Sequence, residues 1–323
     1  MRKISALLFG IAVCVSCKTD PDVSVPPTGG EGGNTTLRFD VADINIPRSP
    51  ESSPRTSFGE NFALQWEDES DELGVFIYGT SSTTNAKGTL SRDAESTAYV
   101  SATVSSYQTG DQMVAYYPYD AEQSSSSHTS LTLNIPANQT QEALGLFEGS
   151  YNPLVSVPVT LDASSTDVAE TVLFRSLGAI VEWGVYSTDA GYRNEKIVSV
   201  KFTATDDVAG NFTYDLTGTD DTEEPTAGTP TEADQTVTVT LSTPASVPAE
   251  ATPDNSVYAV MIPGSYTGTL VVTTDRATYT WSDQTLDVQR SYVRRIGLNL
   301  ASENAVRDGE PKLVDLSANG TAN

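Results

Sequence analysis

The chain has 323 residues, with 43 acidic side chains against 18 Lys and Arg, a formal net charge of -25 and one histidine. So large an excess of acid argues against nucleic acid and anionic membrane surfaces as partners, because both are held by clustered Lys and Arg. Both cysteines, Cys14 and Cys17, lie at the N-terminus. With His128 alone and no thiol in the body of the chain, nucleophile and base pairs and His- or Cys-based metal sites cannot be assembled, and neither metal nor cofactor is expected.

Residues 1–16 begin with Arg2 and Lys3, continue through an apolar run from Ile4 to Val15 and end at Ser16. About a dozen apolar residues fall short of the roughly 20 that a membrane-spanning helix needs. A small residue precedes Cys17, as signal peptidases require. The segment reads as a bacterial lipoprotein signal cut between Ser16 and Cys17, which makes Cys17 the lipid-modified first residue. Cys14 stands where Leu is usual in the recognition box, and an ordinary secretory signal cut near Ser16 is the alternative. Loss of Arg2 and Lys3 takes the charge from -25 to -27.

Residues 17–34 contain three Pro and four Gly and almost no large apolar side chain, the composition of a flexible tether. A first strand is predicted over 35–46, where Leu37, Phe39 and Val41 alternate with polar neighbours. The polar stretch that follows, 47–57, carries Arg48, Pro50, Pro54 and Arg55 and reads as exposed to proteases.

Alternation then predicts strands at 73–78, 98–104, 112–117 and 131–135, which make one antiparallel sandwich over 35–167. A second set at 172–186, 197–204, 236–241, 256–261, 268–274, 277–282 and 292–300 makes another over 168–301. Within the second set, between the strands at 197–204 and 236–241, Asp220, Asp221, Glu223 and Glu224 sit in a low-complexity acidic loop whose spacing matches no EF-hand. Residues 302–323 form a tail in which Leu313, Val314 and Leu316 make a short strand-like piece with no evident partner.

Several segments together resemble the fimbrillin family of type V pilins: 66–78 (WEDESDELGVFIY), 115–119 (AYYPY), 135–139 (IPANQ), 173–183 (LFRSLGAIVEW), 259–281 and 290–300. The resemblance implies an all-β chain of two tandem transthyretin-like Greek-key β-sandwich domains. It implies export as an outer-membrane lipoprotein held through Cys17, then assembly into an extracellular fimbrium that serves adhesion. Its partners would be other pilin subunits and an arginine-specific protease. In that family a cut past the first strand opens a groove that receives the C-terminal strand of another subunit. The candidate cuts here are Arg55, Arg48 and Arg38, with Arg38 inside the predicted strand. The candidate donor strand is Lys312, Leu313, Val314, Asp315, Leu316, Ser317 and Ala318.

Two other classes compete. A glycan-binding surface lipoprotein would need exposed aromatics, for which Trp66, Trp183 and Trp281 are candidates. An anchor or tip subunit of the same pilus is also compatible. An enzyme would rest on carboxylates alone, and no acidic pair stands out as catalytic; no enzymatic activity is expected.

Overall fold

The computed structural model describes residues 33–307 except 43, 48–60, 65, 67–70, 82–84, 95–96, 124–126, 217–225 and 228–229. The chain is all-β, and among the described residues the helical pieces are short 3-10 turns. It begins with β1 (Thr35–Asp40), then β2 (Ile44–Pro47) and β3 (Asn61–Leu64), which pair with each other. β4 (Glu72–Tyr78), β5 (Ala86–Arg92), β6 (Ala98–Val104) and β7 (Gln112–Tyr117) follow. β8 (Leu131–Ile135) and β9 (Asn138–Gln141) leave this region; β10 (Leu154–Ser156), β11 (Val159–Thr160) and β12 (Phe174–Ser176) return to it. The resulting sheet has the order β1-β6-β5-β4-β7-β10-β12, with β11 also on β7. It wraps around Leu37, Phe39, Leu73, Leu90, Val100 and Phe174.

The predicted strand over 35–46 is in fact two. Leu37, Phe39 and Val41 occupy odd positions, whereas Ile44 and Ile46 occupy even ones, so no single strand keeps both sets on one face. The chain breaks between them, and the second piece pairs with β3. The predicted strand over 172–186 also divides. Val172 and Phe174 belong to the N-terminal core; from Ala179 the chain enters another sheet in a strand buried on both faces, with Val181, Trp183 and Val185 in the C-terminal core and Ile180 in the N-terminal one.

The later elements are β13 (Ala179–Tyr186), β14 (Lys196–Ala204), β15 (Ala209–Asp215), β16 (Thr226–Ala227), β17 (Thr231–Asp234) and β18 (Thr236–Ser246). After them come β19 (Val257–Met261), β20 (Gly264–Thr274), β21 (Ala277–Val288), β22 (Val293–Asn299) and β23 (Ala305–Arg307). A three-stranded sheet, β19-β13-β22, packs on a six-stranded one, β23-β21-β20-β14-β18-β9. Trp183, Val200, Phe202, Val272 and Tyr279 fill the space between them.

The sheets do not separate at 167/168. β8 pairs with β15 and β9 runs parallel to β18, so residues 131–141 complete sheets of the C-terminal half. β12 does the reverse and closes on β10. A third cluster, including Phe76, Tyr116, Leu133, Phe212 and Val260, joins the two halves.

Two glutamines of β9 also close the outer edge of β19. Gln139 donates from Nε2 to the Val260 carbonyl at 2.7 Å and accepts from the Val260 N–H at 2.9 Å. Gln141 accepts from the Tyr258 N–H at 2.8 Å and donates to the Ser256 carbonyl at 3.0 Å. Alternation puts both amides on one side of β9, where each behaves as a peptide group of a missing strand.

Candidate assembly site

The candidate site is the slot that β1 occupies. Leu37, Phe39 and Val41 point from it into the N-terminal core, each no more than 4% exposed. Burying three such side chains contributes roughly 5 to 9 kcal/mol. On one side β1 is antiparallel to β6, from Thr35 opposite Val104 to Asp40 opposite Tyr99. On the other side residues 166–172 run parallel to it, bridging at Asp167 and Val172. The Arg38 N–H donates to the Thr166 carbonyl at 2.9 Å; the Val168 and Val172 N–H groups donate to Arg38 and Asp40 carbonyls, both at 2.8 Å. β1 is therefore held between two backbone edges.

The second edge is fastened without β1. The Tyr107 hydroxyl donates to the Ser165 carbonyl at 2.7 Å, and Thr109 Oγ1 donates to Asp162 at 3.1 Å. Burial pushes the Tyr107 phenol up, with Asp162 and Asp167 adding to the effect, so it stays a donor at neutral pH. Leu161 donates its N–H to the Asp111 carbonyl at 2.8 Å and accepts from the Gly110 N–H at 2.9 Å. The Asp111 side chain, 1% exposed, accepts from the backbone N–H groups of Thr80, Gln108 and Ser81 at 2.7, 2.8 and 3.3 Å. Burial opposes ionisation of Asp111, yet these hydrogen bonds outweigh it and hold the carboxyl below its ordinary 3.8.

Arg38 is the one candidate cleavage residue that lies among the described residues. Its guanidinium sits 3.9 Å from the Tyr99 ring centroid and 4.0 Å from Asp93. Its peptide groups are engaged in the slot, so a protease reaches the bond after it only once β1 has left. Arg48 and Arg55 fall outside the described residues, between Pro47 and Asn61, which face each other across the β2–β3 pair. Ser16, Cys17, the donor candidates Lys312 to Ala318 and the acidic group Asp220 to Glu224 also lie outside them. The described part of the tail ends in β23, which pairs with β21.

The aromatic candidates for a glycan platform turn inward. Trp66 is 6% exposed, packs edge-on against Phe174 and Tyr117 with centroids 5.1 and 5.7 Å away, and donates Nε1–H to the Ala42 carbonyl at 2.9 Å. It thus secures the end of β1. Trp183 is fully buried, and Trp281 is partly buried against the C-terminal core. His128 stacks on Tyr78 with centroids 4.8 Å apart.

The wall at 166–172 and the glutamine pair escaped sequence reading. Val168 and Val172 are four residues apart, and nothing in that stretch alternates. Gln139 and Gln141 do alternate, but polar side chains at a strand period ordinarily indicate a solvent face.

No protein-family model and no curated protein sequence matches the chain. Solved structures do match. A "putative cell adhesion protein" from Bacteroides ovatus aligns over 85% of this chain and 95% of its own, at 12% identity and a TM-score of 0.51. A protein of the same description from Parabacteroides distasonis covers 87% of this chain and 93% of its own, at 12% identity and a TM-score of 0.45. The tip fimbrial protein Mfa3 from Porphyromonas gingivalis covers 85% and 98%, at 10% identity and a TM-score of 0.38. At these identities the likeness is one of fold, and the all-β architecture of this chain is similar to that of the Bacteroides ovatus protein over most of both chains.

Proposed function

We propose that this chain is a fimbrillin-type structural subunit of a cell-surface type V pilus, exported as a lipoprotein on Cys17 and polymerised by strand exchange for adhesion. The observation that carries this reading is the slot of β1, with a backbone edge on each side and an apolar floor. A strand so placed lies near the N-terminus and precedes Arg48 and Arg55, so one cut would separate it covalently from everything that holds it. An emptied slot would expose unpaired N–H and C=O groups and apolar surface, which another strand relieves. Donation by residues 312–318 of the next subunit would be β-augmentation, with main-chain bonds giving affinity and alternate side chains filling the floor. Seven residues span about 23 Å at the usual rise.

The anchoring of 161–166 by Tyr107, Thr109 and Gly110 supports this reading, because the far wall of the slot keeps its bonds when β1 departs. The glycan-binding alternative lacks a comparable feature, since Trp66 and Trp183 are buried.

The chain from Cys17 onward, treated with an arginine-specific protease, should lose a fragment ending at Arg55 or Arg48 and then form a ladder of oligomers. A chain that is cut after Arg55, releases the fragment and stays monomeric would overturn the stalk role. A chain that resists cutting at both arginines would be an anchor or accessory subunit, held permanently by Cys17.

A further inference from the structure

Trp66 stands on the far side of the proposed cut from the strand it holds. Its indole Nε1–H donates to the Ala42 carbonyl at 2.9 Å, and Arg48 and Arg55 both lie between the two residues. A cut after either arginine therefore parts acceptor from donor covalently. Main-chain bonds hold the strand as far as Asp40 and Val41: the Asp40 carbonyl accepts from the Val172 N–H at 2.8 Å, and the Val41 N–H donates to the Ala98 carbonyl at 2.9 Å. One residue on, the Ala42 carbonyl meets a side chain instead, the indole.

Trp66 is also fastened to three strands other than β1. Arg92 on β5 donates to the Trp66 carbonyl at 2.7 Å, and the ring packs edge-on against Tyr117 of β7 and Phe174 of β12. When β1 leaves, these contacts keep the indole in place while its N–H loses its acceptor. Water can reach the donor in an empty slot, but not once a new strand covers the floor. A strand that ends short of position 42 then buries the donor unpaired, which is costly. The floor alone does not prevent this. Its apolar positions recur every two residues, so a strand displaced by two keeps the same face inward while moving about 7 Å. A displacement that withdraws the strand's end keeps the face and forfeits the indole bond.

We infer that Trp66 sets the register and minimum length of the strand that occupies the slot, by requiring a main-chain carbonyl one residue beyond the third inward apolar side chain. This role rests on the slot being a site of strand exchange, as proposed above. The requirement falls on backbone and not on a particular side chain. It therefore admits strands of different sequence and rejects those that stop at position 41.

The test uses the chain from Cys17 with a site for an unrelated sequence-specific protease placed between Pro47 and Asn61, so that nicking does not depend on Arg48 or Arg55. The nicked chain is dissociated in urea and refolded with an excess of fluorescent peptide of residues 33–42, for which unlabelled peptides compete. One competitor is the 33–42 amide. The other is the 33–41 ethylamide, which keeps the N–H of position 42 and lacks its carbonyl. The ethylamide should compete about tenfold more weakly on the chain with Trp66 and as well as the amide on Trp66→Phe, which keeps a ring beside Tyr117 and Phe174. A purely structural role for Trp66 would weaken both peptides alike and leave the gap between them. In proton–nitrogen spectra the Trp66 indole N–H should exchange about tenfold faster with the ethylamide bound than with the amide, a reading that serves if Trp66→Phe does not fold. Equal competition on the chain with Trp66, equal indole exchange, or an undiminished gap on Trp66→Phe would overturn the register role and leave the slot a binding site. Failure of the nicked chain to retain the fluorescent peptide would overturn strand exchange, and the role of Trp66 with it.

Discussion

Two edges in this molecule are completed in different ways. The slot between β6 and residues 166–172 is filled by main chain, a strand contributed by the chain's own N-terminal segment. The outer edge of β19 is filled by side chains, the amides of Gln139 and Gln141 on a strand covalently continuous on both sides. A strand that is nearly terminal can be severed and exchanged as a unit. Two amides rooted in β9 cannot leave unless β9 itself unpairs from β18. The contrast explains how one half of such a chain could serve as a receptor for a foreign strand while the other stays closed.

The largest effect should come from deleting β1. A chain beginning at Ile44 should lose roughly 5 to 9 kcal/mol of stability or assemble at once, and a synthetic peptide of residues 33–42 should restore a stable monomer. Chemical denaturation with and without the peptide measures this. If the deletion leaves stability unchanged, the slot is not an independent binding site and the comparison fails.

Next comes the side-chain edge. Gln139→Leu leaves the Val260 N–H and carbonyl buried without partners, which should cost about 2 to 5 kcal/mol and should not be rescued by any added strand. Urea denaturation reads the loss. Rescue by the 33–42 peptide would erase the distinction between the two edges.

A pH dependence separates the wall of the slot from its occupant. Asp111 has a folded pKa below its ordinary 3.8, so its contribution is complete above the ordinary value and disappears as pH falls through the folded one. Stability should therefore decline below about pH 4. Asp111→Asn should cost about 2 kcal/mol at neutral pH and flatten that acid limb. An unchanged limb in the variant would remove Asp111 from the account of the wall.

The sequence carried several strands to their ends. Ala98–Val104 and Leu131–Ile135, which alternate, and Gln112–Tyr117, whose four central residues are all buried, have the bounds that the pattern predicts. It carried β1 too, through Leu37, Phe39 and Val41. Strands with small or mixed faces were not legible: β5 turns Ala86, Gly88 and Leu90 inward, and only one of these is large. Nor were the exchanges between halves. Leu131 to Ile135 reads as a strand of whichever sheet needs one, because alternation specifies a face and not a neighbour. The phase slip at 41–44 was visible in the residues, and counting parity rather than apolar density would have found that break; the one after Phe174 was not, because the strand from Ala179 to Val185 is buried on both faces.

The smallest predicted effect tests the preorganisation of the slot. Tyr107 reaches from the loop after β6 to the Ser165 carbonyl, a contact made beside β1 rather than with it. Tyr107→Phe keeps the ring, which is 8% exposed, and removes one hydrogen bond. The global cost should be about 1 kcal/mol. A larger consequence is expected locally, because the wall would then depend more on β1 for its bonds. Amide exchange at Val168 and Val172, which donate to β1, should accelerate in the variant, and the β1-deleted chain should bind the 33–42 peptide more weakly. If exchange at these two amides is unchanged while global stability falls, Tyr107 supports the core alone, and the slot owes its shape to β1 itself.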